Sequence, residues 1–272
     1  MKYNVLKLFG ALLLPTVMVL SSCENNDMDP ITETDMITIA EGISNSGDYA
    51  VKVLAEDSLF EGYNNLYISL TEVGIGSVVN DAELQFHPLM DMMTKVHAAP
   101  VENPVQAEQG GMYKGAVVFI MPSTGDMGWS LKLTLNEAGT ADTVNFQLPK
   151  VRALSEVRKI MVVSDIDSTV YFVSLVSPLN PEVGMNDIEF SVHYKENMMS
   201  FPAADDLSLE ITPEMPSMDH GSPNNVDPQR TEKGHYKGKV NFTMTGWWRV
   251  NLNIKKGGQV VKDNAYFDIT FQ

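Results

Sequence analysis

The chain of 272 residues contains a single cysteine, Cys23. One thiol cannot form an internal disulfide bond, so the core of every domain has to be held by packing alone. Basic residues are also scarce, because 19 Lys and Arg stand against 35 Asp and Glu, and the formal net charge is −16. Proteins that bind nucleic acid need a basic surface, so this charge balance argues against nucleic acid as a partner.

The apolar segment near the N-terminus is too short to span a membrane. The apolar run 8–20 has thirteen residues, whereas a membrane-spanning helix needs about 20 and the core of a secretion signal roughly 7–15. Two lysines precede the run, and it ends in Val-Leu-Ser-Ser-Cys23, which resembles the bacterial lipobox. We therefore predict a signal peptide over 1–22 and a lipid on Cys23.

The predicted lipid is the membrane anchor. Removing residues 1–22 would take away two lysines and no acid, which moves the net charge from −16 to −18. A surface of this sign cannot be held to a membrane by basic residues, so acyl chains must do it. The polar segment 23–47 shows no sustained periodicity and is interpreted as a tether. Its acidic start resembles the surface-export signals of Bacteroidetes lipoproteins, which predicts an outer-membrane lipoprotein facing the periplasm or the cell surface.

The rest of the chain contains an internal repeat. Four blocks recur in the same order: 62–70 with 184–192, 82–88 with 207–213, 113–121 with 236–244, and 129–135 with 248–254. Apolar and polar residues alternate within each block, and Gly, Pro and Asn clusters separate the blocks, which is typical of β-strands. Trp129 and Trp248 answer to each other and are predicted to lie at the centres of the two cores.

We therefore predict an all-β fold of two tandem immunoglobulin-like β-sandwiches after the signal peptide. Repeat 1 is expected over 48–150, a linker over 151–165 and repeat 2 over 166–272. Within the linker, residues 152–159 fit either one or two turns of helix or a simple joint between the domains.

Two loops between matched strands repeat the order Pro, Met, a second Met three residues later, His and Pro. In repeat 2 the loop carries Met215, Met218 and His220. Thioether sulfur and imidazole together suit Cu(I) better than Ca²⁺ or Mg²⁺, and zinc sites rarely use methionine. His235, before the shared Tyr-Lys-Gly block, completes the predicted ligand set. Less specific candidates are Met244 in repeat 2 and Met90, Met93, His97 and Met112 in repeat 1.

The same methionines have an alternative interpretation as packing residues. The chain has 17 of them, and methionine is a general filler of core gaps. Met244 lies on the apolar face of a strand, which favours a place in the core. The loop of repeat 1 lacks the Met-Pro pair, has two extra residues before His97 and is accompanied by Met112 where repeat 2 has a histidine. It is either a metal-binding loop or a degenerate copy that supports the other domain.

The order of motifs in the second half resembles the YtkA-like/FixH-like domain. The motifs are a Gly-x-Asn-x-aliphatic strand at 184–188, the Met-Pro-x-Met-x-His loop at 215–220, the Gly-x-Tyr-x-Gly-x-Val-x-Phe-x-Met block at 234–244 and Gly246-Trp247. The resemblance covers most of 168–272 and, more faintly, 48–148. It implies an Ig-like copper-handling domain, of a group in which some members accompany cytochrome oxidase assembly, with Met215, Met218 and His220 as the matching Met/His loop.

No Ser/His/Asp or Cys/His set is present, so the protein is not expected to be an enzyme. We predict a lipid-anchored Cu(I)-binding protein that delivers or sequesters copper, with a copper-dependent oxidase or another metal acceptor as its partner. The alternative is a structural or adhesive surface lipoprotein whose domains bind a protein or a glycan.

Overall fold

Antiparallel β-strands make up most of the structure, a computed structural model that describes residues 33–92, 95–107, 111–125 and 127–272. A one-turn 3₁₀ helix at Glu33–Asp35 precedes them. The predicted signal peptide and Cys23 lie outside the described residues. Within those residues, no helix has the length and apolar character to cross a membrane.

The first half of the chain forms two sheets that pack on one hydrophobic core. One sheet has the strand order β1-β2-β3-β7-β6, and the other has the order β5-β4-β8-β9. The strands are β1 (Ile37–Ile43), β2 (Tyr49–Ala55), β3 (Gly62–Glu72), β4 (Glu83–Asp91), β5 (Val96–Ala98), β6 (Val101–Gln106), β7 (Tyr113–Phe119), β8 (Trp129–Glu137) and β9 (Thr140–Gln147).

The second half repeats this arrangement. Each strand of the first half has its counterpart nine strands later in chain order. Its sheets have the orders β10-β11-β12-β16-β15 and β14-β13-β17-β18 around a second core. The all-β, Ig-like sandwich architecture predicted from the sequence is therefore confirmed. The strands are β10 (Lys159–Val163), β11 (Val170–Ser177), β12 (Gly184–Tyr194), β13 (Leu207–Met215), β14 (His220–Gly221), β15 (Val226–Arg230), β16 (His235–Phe242), β17 (Gly246–Lys256) and β18 (Gln259–Phe271).

Period-2 alternation explains which side chains form the two cores. Every second residue is buried from Trp129 to Leu135 in β8 and from Trp248 to Ile254 in β17, while the residues between them face outward. Successive side chains of a strand point to opposite faces, so each sheet turns one apolar face to its partner sheet. Both tryptophans are fully buried, as predicted for the centre of each sandwich.

Two edge strands lie in segments that the sequence suggested were irregular. β1 falls inside the predicted tether and pairs with β2, and β10 falls inside the predicted linker and pairs with β11. An edge strand is covered on fewer sides, so its sequence need not alternate strongly: every residue of β1 is exposed or half-buried. Residues 152–158, for which one or two helical turns were considered, contain a bridge and bends.

Gly115 and Gly238 explain the shared Tyr-Lys-Gly motif. Each faces an irregular, proline-containing stretch of the neighbouring edge strand, where the pairing register shifts. A Cβ on Gly238 would clash with the Val226 carbonyl oxygen, and one on Gly115 would lie 2.6 Å from the Glu102 carbonyl oxygen. Both contacts are with backbone, which cannot rotate away.

Gly238→Ala is therefore expected to lower the free energy of unfolding by about 1–3 kcal/mol, the usual cost of overpacking. Urea denaturation would measure it. Gly221→Ala is the matched control, because its Cβ would meet no atom closer than 3.9 Å. Equal stability of the two variants would contradict the close-approach explanation.

Candidate functional site

The Met/His loop of the second sandwich is a tight hairpin between β13 and β14. Met215, the last residue of β13, is the cross-strand partner of His220, the first residue of β14. The Met218 backbone N–H donates to the Met215 carbonyl oxygen at 3.0 Å, and Asp219 has φ of +50°, which closes the turn. Directly opposed residues have their Cβ atoms about 4.5–5.5 Å apart, so Met215 and His220 are neighbours.

The buried Trp248 packs against this hairpin through the His220 ring. Its ring centroid lies 6.2 Å from that of His220, at an interplanar angle of 62°. Its indole N–H donates to the Met244 carbonyl oxygen at 2.9 Å, and the Met244 side chain packs against the core. Met215 is only 3% exposed, and its methyl group rests against Gly246, where a Cβ would approach it to 2.9 Å. Met215, Met218, His220 and Met244 thus share one end of the sandwich.

The first sandwich contains the same arrangement in spite of its longer loop. Met90 in β4 is the cross-strand partner of His97 in β5. The His97 ring lies 5.3 Å from that of Trp129, at an angle of 79°. The Trp129 indole N–H donates to the Met121 carbonyl oxygen at 3.0 Å, as Trp248 does to Met244. We call each set of His, Trp and two Met a Met–His–Trp cluster: Met90, His97, Met121 and Trp129 in the first sandwich, and Met215, His220, Met244 and Trp248 in the second.

The two histidines differ in the hydrogen bonds of their rings. His220 is half-buried, and its Nε2 lies 3.0 Å from the Thr243 hydroxyl. His97 is 3% exposed, and its Nδ1 lies 3.1 Å from the Ala98 carbonyl oxygen. Its Nε2 is buried and has no hydrogen-bond partner among the residues that the structure describes.

The two loops also differ in what covers them. The Ala98 backbone N–H donates to the Met198 carbonyl oxygen of the second sandwich at 2.9 Å. Ala98 packs with Phe172 and Phe201 in a small apolar cluster between the sandwiches. The second sandwich thus covers the outer face of the first hairpin at Leu89 and Ala98. In the second loop, by contrast, Met218 is 57% exposed.

His235 does not belong to the Met/His loop, which corrects the predicted ligand set. It begins β16, whereas the loop meets Thr243, just after the other end of that strand. A strand rises about 3.3 Å per residue, so eight residues separate the two positions by about 26 Å. In the sequence both lie beside the block that the two repeats share, but the first residue of a strand and the residue after its end lie at opposite ends of a sandwich.

The His235 ring instead bridges two carboxylates at the contact between the sandwiches. Its Nδ1 lies 2.6 Å from Glu189 Oε1, and its Nε2 lies 2.6 Å from Glu102 Oε1 of the first sandwich. Tyr63 packs its ring edge against His235 and hydrogen-bonds Glu102. Burial opposes the charged imidazolium, but the hydrogen bonds and charges of Glu102 and Glu189 outweigh it and raise the pKa of His235 to about 9.

The remaining predicted ligands are placed as follows. Met112, the counterpart of His235, is buried with Leu54 and Tyr67 and lies at the far end of β7 from the first loop. Met93 lies outside the described residues. Within the part of the chain that the structure describes, no three or more His, Cys, Asp or Glu side chains are arranged to hold a metal ion.

The fold and the clusters define a protein of Ig-like β-sandwiches with a methionine–histidine hairpin at one end of each. Residues 166–253 match the family model described as YtkA-like, which confirms the resemblance of the second half to that family. No curated protein matches the chain. An all-β YtkA-like domain is not a typical enzyme fold.

One solved structure that is similar to this chain is described as "The crystal structure of the conserved domain protein from Bacillus anthracis". The identity is 11% and the TM-score 0.35, over 86% of this chain and 90% of that one. A likeness of this size carries no argument about function.

Three features of the site were not predicted from the sequence: the partnership of each histidine with a buried tryptophan, the carboxylates around His235, and the contact of the first hairpin with the second sandwich. The first of these had a usable signal. Each Trp follows a methionine by four or eight residues, at Met244 and Met121, and each lies within the first three residues of a strand that pairs with the strand of the loop methionine. The other two depend on how the sandwiches meet, for which the local sequence offers no signal.

Proposed function

We propose that this chain binds Cu(I) through the hairpin of the second sandwich and that it acts as a non-enzymatic, lipid-anchored protein in copper delivery or sequestration. The observation that carries the proposal is the cross-strand pairing of buried Met215 with His220, with Met218 in the turn between them. Two soft sulfur donors and one imidazole fit Cu(I), which accepts low coordination numbers, better than harder divalent cations.

Several other observations support the same function. Met218 is exposed and His220 half-buried, so an ion could reach the hairpin and leave it. The resemblance of this half to YtkA-like/FixH-like domains implies copper handling. The proposed lipid on Cys23 would keep the site at the outer membrane, facing the periplasm or the cell surface, where a copper-dependent oxidase or another acceptor could receive the ion.

The test is Cu(I) binding to residues 24–272, which retain the whole compact unit Ile31–Gln272. A chromophoric Cu(I) chelator would compete for the ion under reducing, oxygen-free conditions. We expect Met215→Leu combined with His220→Ala to weaken binding at the hairpin by on the order of 100-fold, since two of three ligands are lost. Leucine keeps the buried volume of methionine and removes the sulfur.

Met185→Leu is the control, because Met185 is exposed on β12 and belongs to neither cluster. If the double variant binds as many equivalents of Cu(I), and as tightly, as the unchanged chain, the hairpin is not the site and the copper proposal fails.

A structural or adhesive role is the second candidate, and a groove between the edge strands β10 and β18 favours it. The groove has a volume of about 540 Å³, within the usual range for ligand sites. Met161, Trp247 and Tyr266 expose apolar surface along it. A chain that bound no Cu(I) would direct the search to a protein or glycan partner at this groove.

A further inference from the structure

We infer that the first sandwich holds a second Cu(I) site, formed by Met90 and His97 and buried on the core side of its β4–β5 hairpin. This inference rests on the proposed function and extends it, because it gives the chain two sites with different access. The sequence alone leaves this loop open to being a degenerate copy.

The state of the His97 ring is the first argument. The Nδ1 atom faces the Ala98 carbonyl oxygen, an acceptor, so Nδ1 carries the proton and Nε2 carries the free lone pair. Metal-binding histidines commonly have this arrangement, in which one ring nitrogen donates to a carbonyl and the other is left to the metal. Among the described residues, the His220 ring has no such carbonyl and instead meets the Thr243 hydroxyl.

The buried, unpartnered Nε2 is the second argument. Buried polar atoms are nearly always hydrogen-bonded, and each exception needs an explanation. The His97 Nε2 is such an exception among the described residues, in a side chain that is 3% exposed. A metal ion bound to this nitrogen would supply the missing partner.

The position of Met90 is the third argument. It is 1% exposed and directly opposite His97 in the hairpin, which gives a soft sulfur donor next to the free imidazole nitrogen. A linear or bent two-ligand site is sufficient for Cu(I). Met90 and His97 turn toward the core of the first sandwich, whereas the neighbouring pair Leu89 and Ala98 turns to the opposite face. An ion at this site would therefore lie inside the sandwich and would leave only when the hairpin opens locally.

The experiment is a Cu(I) titration of residues 24–272 with the stoichiometry as the readout. We expect two equivalents for the unchanged chain, one for Met90→Leu, and one for Met215→Leu combined with His220→Ala. Met112→Leu is the matched control: Met112 is equally buried in the same sandwich but away from the cluster, and it should leave two equivalents. The equivalent retained by the double variant should transfer to the chelator more slowly, by on the order of tenfold or more.

A measurement on the unchanged chain keeps the inference testable if Met90→Leu disturbs the fold. The chain has five histidines, so their ring nitrogens can be followed by long-range ¹H–¹⁵N NMR during the titration. The second equivalent should shift the His97 Nε2 resonance. A stoichiometry of one, with His97 unmoved, would mean that a buried water or nothing occupies the position, and would overturn the second site while leaving the first. A stoichiometry of zero would overturn the proposed function itself.

Discussion

Replacing His235 by alanine is expected to lower the free energy of unfolding at pH 6 by about 3 kcal/mol. The change would leave Glu102 and Glu189, each with a mostly buried side chain, facing one another without the cation between them. Removing one partner of a buried ion pair commonly costs about 3–5 kcal/mol, because an uncompensated charge stays behind. We take the lower end, since Lys237 still lies 3.4 Å from Glu189 and Tyr63 still hydrogen-bonds Glu102.

Urea denaturation of residues 24–272 would measure this loss of stability. Two comparisons separate the effect of the His235 charge from other effects of the substitution. His87→Ala is the control, because His87 is exposed on β4 and should change stability by less than about 0.5 kcal/mol. In a Glu102→Gln, Glu189→Gln background, His235→Ala should cost far less, because no buried charge is stranded. An equal cost in both backgrounds would show that His235 acts through packing against Tyr63 and not through its charge.

The fold was predictable because both repeats obey the same local rules. The alternation along β8 and β17 identifies the buried face, and the recurrence of Tyr113 and Trp129 as Tyr236 and Trp248 aligns the two cores. The edge strand β1 was missed for a physical reason. It is covered on fewer sides, so the sequence there did not have to alternate as a central strand does.

The first Met/His loop corresponds to the second more closely than the sequence indicated. In the sequence, two extra residues before His97 place it farther from Met90 than His220 is from Met215. Side chains of a strand alternate with a period of two, so an insertion of two lengthens the hairpin by one pair, Asp91 with Val96, and keeps Met90 opposite His97. An insertion of one residue would have turned His97 to the other face.

The position of His235 could not be predicted from its spacing in the sequence. In the sequence His235 directly precedes the Tyr-Lys-Gly block, which suggested a place near the loop. In the fold, His235 lies at one end of β16, and Thr243, which contacts His220, follows the other end. The true partners of His235 include Glu102, which lies 133 residues away on the other sandwich. No local pattern could indicate a contact that forms only when two domains pack together.

The stability of the chain is expected to fall by about 3 kcal/mol as the pH rises from 6.5 to 9. In the folded protein the pKa of His235 is about 9, against a value of 6.5 for a free histidine. Between these values the folded state holds a proton that the unfolded chain has released, so each pH unit costs about 1.4 kcal/mol. The contribution is complete below pH 6.5 and is lost as the pH passes 9.

The difference in unfolding free energy between the unchanged chain and His235→Ala isolates this effect, because all other titrating groups are common to both. That difference should shrink steadily between pH 6.5 and 9 and be smallest above 9. A difference that stays constant across the range would mean that His235 is not held protonated by its two carboxylates. A shrinking difference would show that loss of the His235 proton weakens the contact between the sandwiches, because the partners of that proton are Glu102 on the first sandwich and Glu189 on the second.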